Sequence, residues 1–153
     1  MAPVSERGMQ SIALYAIVPD DMNHKRVFKT KTFYRWADKF LRDAELCVAA
    51  REIERGLFEA DLGGGVCKKR IPVPGQGKSG ATRTLVAKRH GTAIFFLTGR
   101  LKSDPGTDFS AKEEAAAKLY AGLLQAADVP TLNKMKGDGA LTEICIEYKP
   151  CEK

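Results

Sequence analysis

The chain has 153 residues and a formal net charge of +6 at pH 7, because 25 lysines and arginines outnumber 19 aspartates and glutamates. A chain of this length suits one domain that buries about two-thirds of its unfolded surface, so it needs neither a disulfide nor a metal ion for stability. The longest apolar run near the start, residues 12–18, is far shorter than the roughly 20 residues of a membrane span, so we expect no contact with a membrane.

The first 21 residues do not share the pattern of the rest of the chain. Their apolar run ends in Pro19-Asp20-Asp21 rather than in the small-residue cleavage site of a signal peptide. A coherent pattern starts again at Met22. We therefore predict that residues 1–21 are an extension outside the fold and that one domain spans residues 22–149.

The predicted elements begin with a short strand over residues 24–30 and two helices. Aromatic residues of the first helix fall on its apolar face, which places them in the core rather than against RNA bases. These residues are Phe33, Trp36 and Phe40. Asp43 is placed to cap the second helix and Gly56 to end it.

Three consecutive strands are predicted in the middle of the chain, over residues 66–73, 83–89 and 93–101. Short turns join them, which indicates an antiparallel sheet. The three glycines before Val66 are interpreted as a hinge between the second helix and the sheet. His90, beside a glycine in a tight turn, is expected on the surface.

A third helix is predicted after Ser110, because Ser110 and Glu113 have the spacing of a capping box. We expect its apolar face to pack on the sheet or beside the first two helices. The predicted face consists of Ala115, Ala116, Leu119, Tyr120, Leu123 and Leu124. A helical turn after Pro130 and a small strand over residues 141–148 complete the domain.

The four cysteines are Cys47, Cys67, Cys145 and Cys151. They form no C-x-x-C pair and have no histidine cluster beside them, so the sequence does not indicate a metal site. Scattered thiols in a domain that can bury a core favour free cysteines in a reducing cytoplasm over a disulfide scaffold.

The most informative feature is a basic stretch between Asp61 and Asp104, which contains no acidic residue. Its nine basic residues are Lys68, Lys69, Arg70, Lys78, Arg83, Lys88, Arg89, Arg100 and Lys102. Because they alternate with strand-forming runs, they are expected on a folded sheet, with Lys68 and Arg70 on one face of their strand. Uncompensated positive charge of this kind predicts a phosphate-rich or acidic partner.

A phosphate-binding P-loop does not explain this charge. Gln76-Gly77-Lys78-Ser79 matches the end of that motif, but Pro72 stands where its first glycine is needed, and a strand rather than a helix follows. Basic residues do suit metal-independent RNA cleavage. Arginine binds phosphate through a bidentate fork, and a lysine crowded by other cations has a lowered pKa that lets it transfer protons.

Residues 56–89, GLFEADLGGGVCKKRIPVPGQGKSGATRTLVAKR, and residues 95–104, FFLTGRLKSD, resemble the HigB/RelE-like toxins of bacterial type II toxin–antitoxin systems. The resemblance covers about residues 22–147. It implies an α+β domain with a RelE-like fold, in which two N-terminal helices pack on a small antiparallel sheet and a C-terminal helix follows. It also implies a ribosome-dependent endoribonuclease that cleaves translated mRNA and needs no metal or other cofactor.

By motif position, the resemblance assigns catalysis to Arg70, Arg83 and Lys102. The two arginines would bind phosphate and stabilise the transition state, and Lys102 would transfer a proton. The residues expected to bind RNA are Lys68, Lys69, Lys78, Lys88 and Arg100. Gly99-Arg100-Leu101 departs from the commoner Gly-Phe-Ala, which makes Arg100 an added phosphate contact.

Three alternatives remain open from the sequence: a ParE-like toxin that inhibits DNA gyrase, a basic nucleic-acid-binding module without activity, and an inactive relic of a toxin. The resemblance implies three partners: the ribosome, mRNA and a cognate antitoxin. The antitoxin is often a helix-turn-helix protein, and its acidic residues would cover the basic sheet.

Overall fold

The computed structural model describes residues 24–75, 81–101, 104, 106 and 108–146. The elements in chain order are β1 (Arg26–Thr30), α1 (Lys31–Ala37), α2 (Asp43–Glu54), β2 (Ala60–Gly63), β3 (Val66–Pro72), β4 (Ala81–Ala87), β5 (Ala93–Leu101), α3 (Ala111–Gln125), α4 (Val129–Gly137) and β6 (Leu141–Ile144). The predicted extension, residues 1–21, lies outside the described residues, so it stays a prediction.

The strands form one six-stranded mixed sheet in the order β2-β3-β4-β5-β1-β6. Strand β1 runs parallel to β5, with Arg26 opposite Ala93, and antiparallel to β6. The α+β class is right, but the prediction of two N-terminal helices on a small antiparallel sheet is wrong. A strand precedes the helices and lies between β5 and β6, and this pairing depends on contacts between residues far apart in the chain, which local patterns do not reveal.

The predicted antiparallel meander is confirmed for β3, β4 and β5. The three glycines before Val66 are not a hinge after a helix, because β2 intervenes and pairs with β3. Gly63, Gly64 and Gly65 all have positive φ angles, between +64° and +83°, and they turn the chain between these two strands. Glycine adopts this conformation without the steric penalty that other residues have.

Helices cover both faces of the sheet. On one face α1 and α2 pack against strand residues such as Val86, Ile94 and Phe96. On the other face α3 and α4 pack against Leu85, Phe95 and their neighbours. The alternating directions of side chains along each strand separate these two cores.

The aromatic residues of the first helix lie in the core, as predicted. Phe33 is fully buried, and Trp36 and Phe40 pack around the same cluster. The indole of Trp36 lies directly over Gly99 of β5, so closely that a β-carbon at Gly99 would overlap it. These aromatic residues therefore fix α1 on the sheet rather than form a platform for bases.

The predicted cap of α2 is displaced by one residue. Arg42 is the N-cap, and its backbone N–H donates a hydrogen bond of 2.8 Å to the Glu45 carboxylate. Asp43 is instead the first helical residue, and its carboxylate binds the Lys29 ammonium at 2.9 Å. The Asp43 side chain, which the local pattern assigned to capping, is thus engaged in an ion pair with Lys29 of β1.

The capping box of α3 is confirmed, because Ser110 and Glu113 exchange side-chain to backbone hydrogen bonds. The predicted buried face of this helix is largely wrong. Residues Ala117, Ala121 and Leu124 are buried against the sheet, whereas Leu119 and Leu123 are 77% and 73% exposed. An alanine-rich helix has two faces apolar enough to pack, and only its contacts with the sheet determine which of them is buried.

The histidine and cysteine predictions are also corrected. His90 is buried, and its Nε2 donates to the Ala127 carbonyl at 2.8 Å while Nδ1 accepts from the Thr92 N–H. Cys47 of α2 and Cys145 after β6 form a disulfide across 98 residues. Cys67 is a buried free thiol, and Cys151 lies outside the described residues. The disulfide arises because α2 packs beside the end of β6, which the spacing of the cysteines did not indicate.

A candidate nucleic-acid interface on the basic sheet

Three arginines form one row across three neighbouring strands. Arg70 of β3 lies directly opposite Arg83 of β4, and Arg83 lies directly opposite Arg100 of β5. Strand alternation places all three side chains on the face of the sheet that α3 covers further along. We call these three residues the arginine row. Like charges at directly opposed positions of a sheet repel each other.

Lys68 lies two residues before Arg70 and shares its face. Its ammonium donates a hydrogen bond of 2.6 Å to the carboxylate of Asp108, and it lies 3.4 Å from the carboxylate of Glu114 in α3. This ion pair connects β3 to the segment that enters α3. It places two acidic side chains at the border of the arginine row.

The charges of this pair are strongly maintained. The hydrogen bond to Asp108 raises the pKa of Lys68. Partial burial acts to raise the pKa of Asp108, but the hydrogen bonds from Lys68 and from the Phe109 N–H outweigh it, and the net shift is downward. Lys68 is therefore a fixed cation rather than a proton-transfer group, contrary to the lowered pKa expected of a crowded lysine.

Arg100 organises the chain between β5 and α3. Its guanidinium donates hydrogen bonds to three backbone carbonyls, at 2.8 Å to Asp108, 3.1 Å to Asp104 and 3.2 Å to Gly106. The Leu101 N–H in turn donates to the Asp104 carboxylate at 3.0 Å. These bonds hold the segment that presents Asp108 to Lys68. The sequence predicted only a phosphate contact for Arg100 and missed this positioning role.

A cleft of about 210 Å³ opens between β3, β4 and this segment. It is lined by Glu59, Ala60, Lys68, Lys69, Arg70, Arg83 and Asp108. The Glu59 carboxylate accepts a hydrogen bond of 2.7 Å from the Arg70 backbone N–H. The Arg70 side chain is exposed. In the described part of the chain its guanidinium takes part in no ion pair, so it is available to an incoming anion.

Two of the predicted RNA-binding lysines lie apart from the arginine row. Lys69 points to the opposite face, where its ammonium binds the Glu52 carboxylate and the Leu57 carbonyl, each at 2.8 Å. Lys88 lies at the far end of the sheet and pairs with Asp61 at 3.1 Å. Lys78 and Lys102 lie outside the described residues.

The structure corrects the premise that the basic stretch is uncompensated. The three lysines of this stretch that the structure describes, Lys68, Lys69 and Lys88, meet acidic side chains from elsewhere in the chain: Glu52, Asp61, Asp108 and Glu114. Within the cleft, the exposed side chain of Arg70 presents positive charge to a ligand. The sequence missed Glu59, Asp108 and Glu114 at this site, because nothing in their spacing from the basic residues indicates that the fold brings them together.

The described residues contain no group of three or more His, Cys, Asp or Glu side chains that could hold a metal ion. None of the helices in that part of the chain is long and apolar enough to cross a membrane.

The model of the RelE toxin of RelE/RelB toxin–antitoxin systems matches residues 25–144. Because this match covers most of the chain, the protein belongs to the RelE toxin family. It is thus a RelE-like toxin of a toxin–antitoxin system, which implies an antitoxin partner. A comparison with curated proteins gives no match.

Proposed function

We propose that this toxin is a ribosome-dependent endoribonuclease that cleaves translated mRNA and so arrests translation. Family membership supports the proposal, because RelE toxins are typically endoribonucleases. The arginine row carries it further, since Arg70 and Arg83 offer a backbone phosphate two guanidinium groups at directly opposed positions of neighbouring strands. Charge-assisted hydrogen bonds from arginine to phosphate are stronger than neutral ones.

The chemistry that fits these groups is attack by the 2′-oxygen of the RNA on the adjacent phosphorus. The 2′-hydroxyl loses its proton, a bond forms between the 2′-oxygen and phosphorus, and the bond from phosphorus to the 5′-oxygen breaks. The departing 5′-oxygen takes up a proton, which leaves a 2′,3′-cyclic phosphate and a 5′-hydroxyl. Negative charge develops on the phosphoryl oxygens, and cations already in position stabilise it most effectively.

Within this proposal Arg70 and Arg83 bind the phosphate and stabilise the transition state. Arg83 is partly buried and its charge also acts on Asp108, so it lies on the inner side of the cleft. Lys102, the residue that follows β5 in the chain, transfers a proton, and Lys78 contacts the backbone of the RNA or the ribosome. Lys68 contributes fixed positive charge, because Asp108 keeps it protonated.

The test is induced expression of the full chain in bacteria, comparing the wild type with Arg83→Ala. Primer extension on a translated reporter mRNA is the measurement. We expect growth arrest and new 5′ ends inside the reading frame for the wild type. For Arg83→Ala we expect at least about a hundredfold fewer ends, as for loss of one group that stabilises a transition state. Arg89→Ala is the matched control, because Arg89 is exposed and basic but lies outside the arginine row.

Two outcomes would contradict the proposal. Growth arrest without new 5′ ends would indicate a protein target such as gyrase. Equal cleavage by the wild type and Arg83→Ala would remove the arginine row from the mechanism. To separate dependence on the ribosome from simple RNA cleavage, the reporter is compared with a copy that lacks its ribosome-binding site, and we expect cleavage only of the translated copy.

A further inference from the structure

The outer face of α3 is apolar and exposed along most of the helix. Leu119 and Leu123 are the most exposed large hydrophobic residues in the described part of the chain, at 77% and 73%. Their exposed neighbours on this face are small residues. We call this surface the α3 stripe, and it consists of Ala115, Ala116, Leu119, Gly122 and Leu123. Residues three or four apart are adjacent on a helix, so the stripe is continuous.

The stripe is separate from the core of the protein. The opposite face of α3, with Ala117, Ala121 and Leu124, already holds the helix on the sheet. The stripe is therefore not needed for packing within the part of the chain that the structure describes. Two solvent-exposed leucines that are neighbours on the helix surface and are flanked by small residues are typical of a surface to which a second helix binds.

The charges around the α3 stripe are basic. Lys112 lies two turns before Leu119 on the same face, and Lys118 borders the stripe; both side chains are exposed. The acidic residues at the start of α3 are already engaged, because Glu113 caps the helix and Glu114 lies against Lys68. A partner with carboxylates beside its apolar face fits this surface. A second copy of the same basic surface would bring like charges together.

The α3 stripe also leads to the arginine row. Glu114 in the first turn of α3 lies 3.4 Å from the Lys68 ammonium, and Asp108 binds that ammonium just before the helix begins. A partner that lies along α3 toward its N-terminus therefore reaches the cationic cleft. Family membership supplies the partner, because a toxin of a toxin–antitoxin system is paired with an antitoxin.

We propose that the α3 stripe is a docking surface for the antitoxin. The antitoxin would place the apolar face of an amphipathic helix on Leu119 and Leu123, with carboxylates near Lys112 and Lys118. The chain beyond that helix would carry further acidic side chains over the arginine row. This inference rests on the membership of the RelE toxin family and not on nuclease activity.

The test measures binding between the full-length toxin and its antitoxin by calorimetry. The probe is the product of the adjacent reading frame that restores growth when it is co-expressed with the toxin. All toxin variants are co-expressed with this product and then separated from it, so that their production does not depend on the role of Arg83. The test variant is Leu119→Glu with Leu123→Glu. The matched control is Val48→Glu with Leu57→Glu, which introduces the same charge at residues that are 60% and 51% exposed and lie outside α3.

We expect the α3 variant to bind at least about 30-fold more weakly and the control to bind within about threefold of the parent. Circular dichroism and the thermal midpoint verify that the α3 variant and the control are both folded. Lys112→Glu gives a second test that leaves the leucines in place. It should also weaken binding and reduce its dependence on salt.

Unchanged binding by the α3 variant and Lys112→Glu would overturn the proposal. So would a wild-type dimer that the leucine substitutions dissociate while the antitoxin still binds, because the stripe would then join two copies of this chain. The mRNA cleavage assay is read separately. Its failure would contradict the nuclease proposal and leave this binding result unaffected.

Discussion

Arg70 of β3 and Arg83 of β4 lie directly opposite each other in two neighbouring antiparallel strands. Like charges at directly opposed positions of a sheet repel each other, and an anion bound between the two guanidinium groups would offset that repulsion.

Removing one charge of the pair should stabilise the free toxin slightly and weaken its binding to RNA. For Arg70→Gln we expect the free energy of unfolding to rise by about 0.3 kcal/mol at low salt, and the gain to shrink as salt screens the repulsion. Urea unfolding at two salt concentrations measures it. Arg89→Gln, which removes an exposed charge elsewhere, should show no such gain. A clear loss of stability in Arg70→Gln would mean that Arg70 supports the fold.

The Lys68–Asp108 pair should make stability depend on pH in a defined direction. The pKa of Asp108 is lowered, so its contribution is complete above the ordinary carboxylate value of roughly 3.9 and is lost as the pH falls through the lower folded value. The pKa of Lys68 is raised, so its contribution is complete below roughly 10.4 and is lost only at higher pH. The pair therefore stabilises between these limits.

We expect Asp108→Asn to be less stable than the wild type at pH 7 and the difference to shrink as the pH falls below the ordinary carboxylate value and through the lower folded value. Urea unfolding of both proteins across this range is the measurement. A difference that does not shrink on acidification would assign the effect to packing of Asp108 rather than to its charge.

Gly99 should not tolerate a side chain. In Gly99→Ala the new methyl group would overlap the indole of Trp36, and the displacement of α1 should cost about 1–3 kcal/mol of unfolding free energy. The control is Gly122→Ala in α3, where nothing lies within 4 Å of the new atom and a gain of about 0.5–1 kcal/mol is expected. Equal stability of Gly99→Ala and the wild type would contradict the close packing of Trp36 on β5.

The disulfide between Cys47 and Cys145 should stabilise the fold substantially, because it joins α2 to the end of β6 across 98 residues. Cys47→Ser is expected to lower the free energy of unfolding by about 2–4 kcal/mol under oxidising conditions. Thermal unfolding with and without a reducing agent measures the effect. The reducing agent should destabilise the wild type and leave Cys47→Ser unchanged; equal responses would argue against the bond.

Cys67 should be unreactive in the folded toxin. It is buried, and this burial raises the pKa of its thiol to about 12, so the reactive thiolate is scarce near neutral pH. Alkylation at pH 8 followed by mass spectrometry should leave Cys67 unmodified until denaturant is added. Rapid modification in the native protein would mean that β3 opens to solvent.

Features that depend on neighbours in the chain could be predicted from the amino-acid sequence. The capping box of Ser110 and Glu113, the inward face of α1 and the β3–β4–β5 meander follow from spacings of a few residues and from short turns. The basic residues and the family resemblance are also visible in the sequence. They predicted Arg70 and Arg83 as site residues without knowledge of how the strands pair.

The tertiary structure alone decided what depends on residues distant in the chain. It placed β1 between β5 and β6, buried one face of α3 and exposed the other, and joined Cys47 to Cys145. It also supplied acidic partners for Lys68, Lys69 and Lys88, and it placed the three arginines of the row at directly opposed positions of neighbouring strands. Local periodicity shows that a helix or strand has an apolar or charged face, but only the packing of the whole chain determines what that face meets.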